Sequence, residues 1–141
     1  MYSKEDSRKL REEFWIAFGK SFPTKWILYK TKIKGLSFKF HFDLKMAIVS
    51  IDVDTEFEQR IKIWDKLVAL KSIIKDEYLP EAVYEDFFVL ENQKDISRIY
   101  VELKDVSIHN KNSWRDTMEF LNKSMLQIEK FFDEYKEIIE S

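Results

Sequence analysis

The stretch SWRDTMEFLNKSMLQIEKFFDEYKEII, residues 113–139, decides the fold. Read at alternating steps of four and three, it gives Trp114, Met118, Leu121, Met125, Ile128, Phe132, Tyr135 and Ile139, an unbroken apolar seam. A helix of that length extends ~39 Å at ~1.5 Å per residue, with the seam along one face. Such a seam buries either against a partner helix or against the chain's own sheet. Trp, Met, Phe and Tyr are unusual in paired-helix cores, and Phe120, Leu126, Phe131 and Ile138 widen the apolar face. Both features suit a helix laid on a sheet. The far end, Phe132, Tyr135 and Ile139, is the surface that a protein partner or a second copy would cover in the alternative reading.

The sheet is expected upstream of this helix. From Lys25 the period becomes two: Ile27, Tyr29, Thr31 and Ile33 alternate with Leu28, Lys30, Lys32 and Lys34. Gly35 marks a turn, Phe38, Phe40 and Phe42 alternate with polar residues, and Asp43-Leu44-Lys45 is a tight connection to Ala47, Val49, Ile51 and Val53. Three alternating strands with short links predict an antiparallel meander with one buried face. Val83 to Leu90, the polar turn Glu91 to Asp95, and Ile99, Val101 and Leu103 predict a second hairpin, which Val106 and Ile108 prolong.

Two further helices complete the pattern. Ser3 is the expected N-cap of the first, with Asp6 completing a capping box, and Gly19 and Pro23 stop it near Phe22. Thr55 to Glu58 is a second capping box, followed by Phe57, Ile61, Trp64, Leu67 and Val68, with Ile74 and Tyr78 extending the helix towards Pro80. Asn112 or Ser113 is the expected cap of the last helix. The order is α-β-β-β-α-β-β-α: a single α+β domain over residues 1–141, with a largely antiparallel sheet of about five strands packed by three helices.

Composition excludes whole classes of function. The chain has no cysteine, which removes disulfides, thiolate catalysis and cysteine-ligated zinc. Two glycines cannot make a phosphate-binding glycine loop. A net charge of −2 provides no global field towards nucleic acid or an anionic membrane. The charged start, Met1 to Asp6, leads into no apolar run, and no stretch reaches the ~20 apolar residues of a membrane span. A cytoplasmic setting, without membrane contact, is the expectation.

Several strings together carry a resemblance. They are Tyr2-Ser3-Lys4-Glu5, Leu10 to Gly19 (LREEFWIAFG), Trp26-Ile27-Leu28-Tyr29-Lys30-Thr31, Ser97-Arg98-Ile99-Tyr100 with Glu102-Leu103, and Val106-Ser107-Ile108 ahead of Asn112 and Trp114. Nearly the whole chain resembles a bacterial family known as domain of unknown function 4268. The resemblance implies a domain that occurs alone and as the tail of larger proteins, some of them nuclease-like. It implies no mechanism and carries over no catalytic residue.

The residues themselves offer two candidate sites. Lys20, Lys25, Lys30, Lys32, Lys34, Lys39 and Lys45 face one acid, Asp43, between residues 20 and 45. On the strand reading, Lys30, Lys32, Lys34, Lys39 and His41 share a face that can track a phosphate backbone, or simply form a solvated sheet face. The second candidate follows from order: a helix, three meandering strands, a helix and a strand is the core order of restriction-endonuclease-like folds. Such sites hold Mg²⁺ with a carboxylate on the second strand and an acid-x-acid or acid-x-lysine pair on the third, where the lysine orients the attacking water. Asp43, Asp52 and Asp54, with Lys39 nearby, are the matching residues, although no lysine follows Asp52 at the expected offset. Glu102-Leu103-Lys104 is a similar string on a later strand, and His41 and His109 lack metal spacing. The expectation is a non-enzymatic interaction or accessory module, associated with nucleic acid or defence and needing no cofactor. The alternative is a nuclease-like domain, active with Mg or degenerate.

Overall fold

The computed structural model describes residues 2–141; Met1 of the charged amino-terminal stretch lies outside them. Helix α1 (Lys4–Ser21) leads to β1 (Leu36–Phe42), β2 (Met46–Val53), α2 (Phe57–Ala69), the single turn α3 (Lys71–Ile73), β3 (Val83–Val89), β4 (Asp95–Lys104) and α4 (Trp114–Glu140). The sheet has four antiparallel strands in the order β1-β2-β4-β3. The chain is therefore α+β, with four strands rather than about five, and α3 is a fourth helix beside the three expected.

The missing strand is Ile27 to Lys34. Leu28 and Lys32 take left-handed φ values of 47° and 64°, which no β-ladder accepts. The alternation there comes from successive turns, not a pleat. The buried Thr31 hydroxyl takes the place of a ladder, donating to the Leu36 carbonyl at 2.8 Å and accepting from the Ile33 amide at 3.1 Å. Gly35 closes the segment at φ 88°, where an added Cβ would lie 2.4 Å from Thr55 Cβ. With two meandering strands before α2 instead of three, the restriction-endonuclease-like order is not drawn by this chain.

Other boundaries move for local reasons. The Ser3–Asp6 capping box forms as expected. Thr55 packs on Gly35 and does not cap α2, whose N-cap Glu56 makes no side-chain bond. The helix expected to run to Tyr78 ends at Ala69, and a wide π-turn at Ile74–Tyr78 follows α3, closed by Leu79 N–H donating to Ile74 O at 2.7 Å. Asp105 at φ 62° ends β4, so Val106 and Ile108 are buried beyond the strand. Neither Asn112 nor Ser113 caps α4 by side chain; a 3₁₀ turn, Lys111–Ser113, feeds the helix, with Asn110 as its cap.

Helix α4 lies on the sheet and closes the core. Leu121, Met125 and Ile128 are fully buried, and Phe132 meets Phe38 of β1 edge-to-face at 5.3 Å. Phe132 and Ile139 are buried and Tyr135 is half-buried, stacked on Phe131 at 5.4 Å. The seam is thus laid on the chain's own sheet, as expected, and its far end, which a partner would cover in the alternative reading, is largely buried by the chain itself. Leu126 and Ile138, expected to widen that face, are exposed. Helix α1 packs on the same side through Phe14 against Phe42 and Phe18 against Phe40. The opposite face of the sheet carries Lys39, His41, Ser50, Asp52, Arg98 and Tyr100. No described helix is long and apolar enough to cross a membrane.

Candidate anion-binding site

The positive charge gathers where the turn segment meets α2. Ile33 is buried in the core, which turns its neighbours Lys32 and Lys34 outward. Ile63 is buried likewise, and at ~100° per residue Gln59, Lys62 and Lys66 fall together on one flank of α2. The two lysine pairs line one cleft of about 410 Å³ together with Gln59, and Glu140 is its one acidic side chain. Among the described residues, none of these four lysines is in an ion pair. Lys32 and Lys34 also wall a second groove of about 380 Å³, which holds Tyr29, Lys39 and Asp54. The 32–34 segment is a ridge between two basic depressions.

The five residues expected to share a strand face are therefore divided. Lys32 and Lys34 line both depressions, Lys39 lines the second, and Lys30 is exposed but lines neither. His41 stands at the far end of β1, 2.7 Å from Asp43. Lys62 and Lys66 were missed by sequence reasoning. Their signal was an i, i+4 lysine pair on one flank of α2; Glu58 stands four positions before Lys62, but no ion pair forms between them.

The acidic candidates do not converge. Asp52 is 0% exposed and is held by Arg98, whose Nε and Nη2 donate to its two oxygens at 2.8 Å each, with Lys39 Nζ at 3.4 Å. Asp43 sits at the β1–β2 turn and accepts from the Lys45 and Met46 amides. Six residues of β2 separate the position opposite Asp43 from Asp52, ~20 Å at ~3.3 Å per residue. One cation cannot bridge them. Asp54 lies 2.7 Å from Lys94, near enough for charge pairing although the Asp54 Oδ1 gains no aligned hydrogen bond. No three acidic or imidazole side chains converge at metal-binding distance among the described residues.

Titration reflects these environments. Burial works to raise the Asp43 carboxyl, but hydrogen bonds from His41, Lys45 and Met46 outweigh it and hold it below its ordinary value. Burial, then the hydrogen bond to Glu85 and the charges of Glu85 and Glu102, push Tyr100 up to about 12. Burial raises Glu129, against the opposing bond that Ile27 N–H donates to it at 2.7 Å.

The other flank of α2 is apolar. Phe57, Ile61 and Val68 are exposed there, beside edge strand β3, where Phe87 and Val89 are exposed too. Arg60 ties the two elements, donating to Ser97 Oγ, Asp95 O and Asp86 O. These bonds hold the β-bulge at Asp86 and Phe87, which kinks the edge strand.

A family model described as Domain of unknown function (DUF4268) matches residues 10–136. No curated protein and no solved structure matches the chain.

Proposed function

The chain belongs to the domain of unknown function 4268 family, and within it we propose a non-enzymatic binding module for an anionic polymer, with nucleic acid as the partner. The observation that carries this reading is the set of four unpaired lysines, Lys32, Lys34, Lys62 and Lys66, lining one cleft of a chain whose net charge is −2. Four like charges gathered around a single acidic side chain, Glu140, repel, and a polyanion that enters the cleft relieves that repulsion and releases its own counterions. Lys39 extends the track in the second groove, while Lys30 lines neither depression. A cytoplasmic setting, where nucleic acid is abundant, fits this reading.

The nuclease-like reading with Mg at Asp43, Asp52, Asp54 and Lys39 is not the one adopted. Asp52 is enclosed by Arg98, and Asp43 lies at the other end of the strand. The test is fluorescence anisotropy of a labelled oligonucleotide as salt is raised from ~50 to ~200 mM. Affinity falling steeply over that range supports the proposal; affinity that stays flat, or no binding at the low-salt end, contradicts it.

A further inference from the structure

Resting on that reading, we infer that the polymer is single-stranded nucleic acid and that Tyr29 is the platform on which one of its bases stacks. Tyr29 is 73% exposed, the most exposed large apolar side chain among the described residues, and its ring pairs with no other aromatic ring there. The backbone beneath it is held on both sides. Ile27 N–H bonds to Glu129, Lys30 N–H bonds to Ile27 O at 2.8 Å, and Leu28 O accepts from Phe38 N–H at 3.0 Å. A free ring on a fixed turn loses little order when a ligand stacks on it.

The surroundings of Tyr29 match the two halves of a nucleotide. On one side is the basic groove with Lys32, Lys34 and Lys39, which continues over the 32–34 ridge to Lys62 and Lys66. On the other is a depression of about 270 Å³ that Tyr29 shares with Trp15, Leu28, Phe38 and Phe40, with Lys39 at its rim. Phosphates fit the first side and base faces the second. A duplex hides its base faces in its own stack, and inorganic polyphosphate has none. Only an unpaired strand offers phosphates and free base faces together, the combination that stacking platforms in charged grooves recognise.

The experiment uses the full chain and four fluorescently followed probes: a thymidine oligonucleotide of about 12 nucleotides, an abasic strand of the same length, a duplex of the same length, and inorganic polyphosphate. The thymidine strand is expected to bind more tightly than the other three. Tyr29→Ala is expected to weaken it by roughly 5- to 150-fold while leaving the abasic strand unchanged, and Tyr29→Phe to restore it. Unchanged thermal melting of both variants shows that the fold is intact. Equal affinity for the thymidine strand and the abasic strand, tighter duplex binding, or a Tyr29→Ala variant that binds the thymidine strand normally overturns this inference and leaves polyanion binding standing. Failure of all four probes to bind at low salt overturns the polyanion reading itself, and this inference with it.

Discussion

Arg98 grips Asp52 through two parallel hydrogen bonds of 2.8 Å across the β2–β4 ladder, and the carboxylate they hold has no access to solvent. The guanidinium in turn lies 4.3 Å over the Phe88 ring. A buried carboxylate tolerates this position only while its partner stays. Arg98→Ala is expected to cost about 3–5 kcal/mol in urea unfolding. Replacing both residues by apolar side chains of similar size, Asp52→Leu with Arg98→Met, is expected to cost less than Arg98→Ala alone. A double variant worse than the single one would mean that the pair stabilises the fold by its charge.

Arg60 is expected to be the pin of the edge strand. Its three hydrogen bonds end on Ser97 and on the Asp95 and Asp86 carbonyls. Arg60→Ala removes all three donors from a site that is 8% exposed, so a loss of about 3 kcal/mol or more is expected. Native-state hydrogen exchange should show the β3 amides losing protection first, ahead of those of β1 and β2.

Much of this architecture was legible in the chain, for physical reasons. The seam of α4 and the pleat of β1 and β2 each turn one face of a regular element to the core, which leaves a period in the sequence, and the Ser3–Asp6 cap joins residues three apart. What was hidden depends on distant residues or on backbone angles. Leu28 and Lys32 adopt left-handed φ without the glycine that would announce it, so Ile27 to Lys34 imitates a strand. Lys62 and Lys66 join Lys32 and Lys34 only once α2 packs beside the turn segment. Asp52 looked like a metal ligand because its partner, Arg98, lies 46 positions away.

The turn that presents Lys32, Lys34 and Tyr29 should depend on Gly35. A Cβ there meets Thr55 Cβ at 2.4 Å, and the φ of 88° disfavours any L side chain. Gly35→Ala is expected to destabilise the chain by about 1–2 kcal/mol or more in thermal melts. Adding Thr55→Gly should recover part of that loss by removing the clash, the strained φ remaining.

Two carboxylates give pH dependences of opposite sign. Asp43 is held below its ordinary value in the folded chain. Its contribution to stability is complete above the unfolded carboxyl's titration range and is lost as pH falls through that range and below. Glu129 is raised by burial, so its charged form is a penalty at neutral pH that is relieved as pH falls through its folded value. Glu129→Gln keeps an acceptor for Ile27 N–H and removes the charge. Denaturant titrations across acid pH should show this variant losing the Glu129 rise while retaining the Asp43 fall; if the rise persists, another group is its source.

The central claim, that a polyanion is held by the lysine cleft, is tested most directly by the salt slope of oligonucleotide binding in the Lys62→Ala/Lys66→Ala variant. Each lost phosphate contact to a single strand reduces the slope of log affinity against log salt by ~0.7, so the double variant should bind more weakly with a slope shallower by about 1.4. Lys123→Ala/Lys130→Ala removes equal charge from exposed positions on α4 and serves as the control. The account predicts the shallower slope for the cleft variant alone. An unchanged slope in the cleft variant, or an equal change in the control, would contradict it.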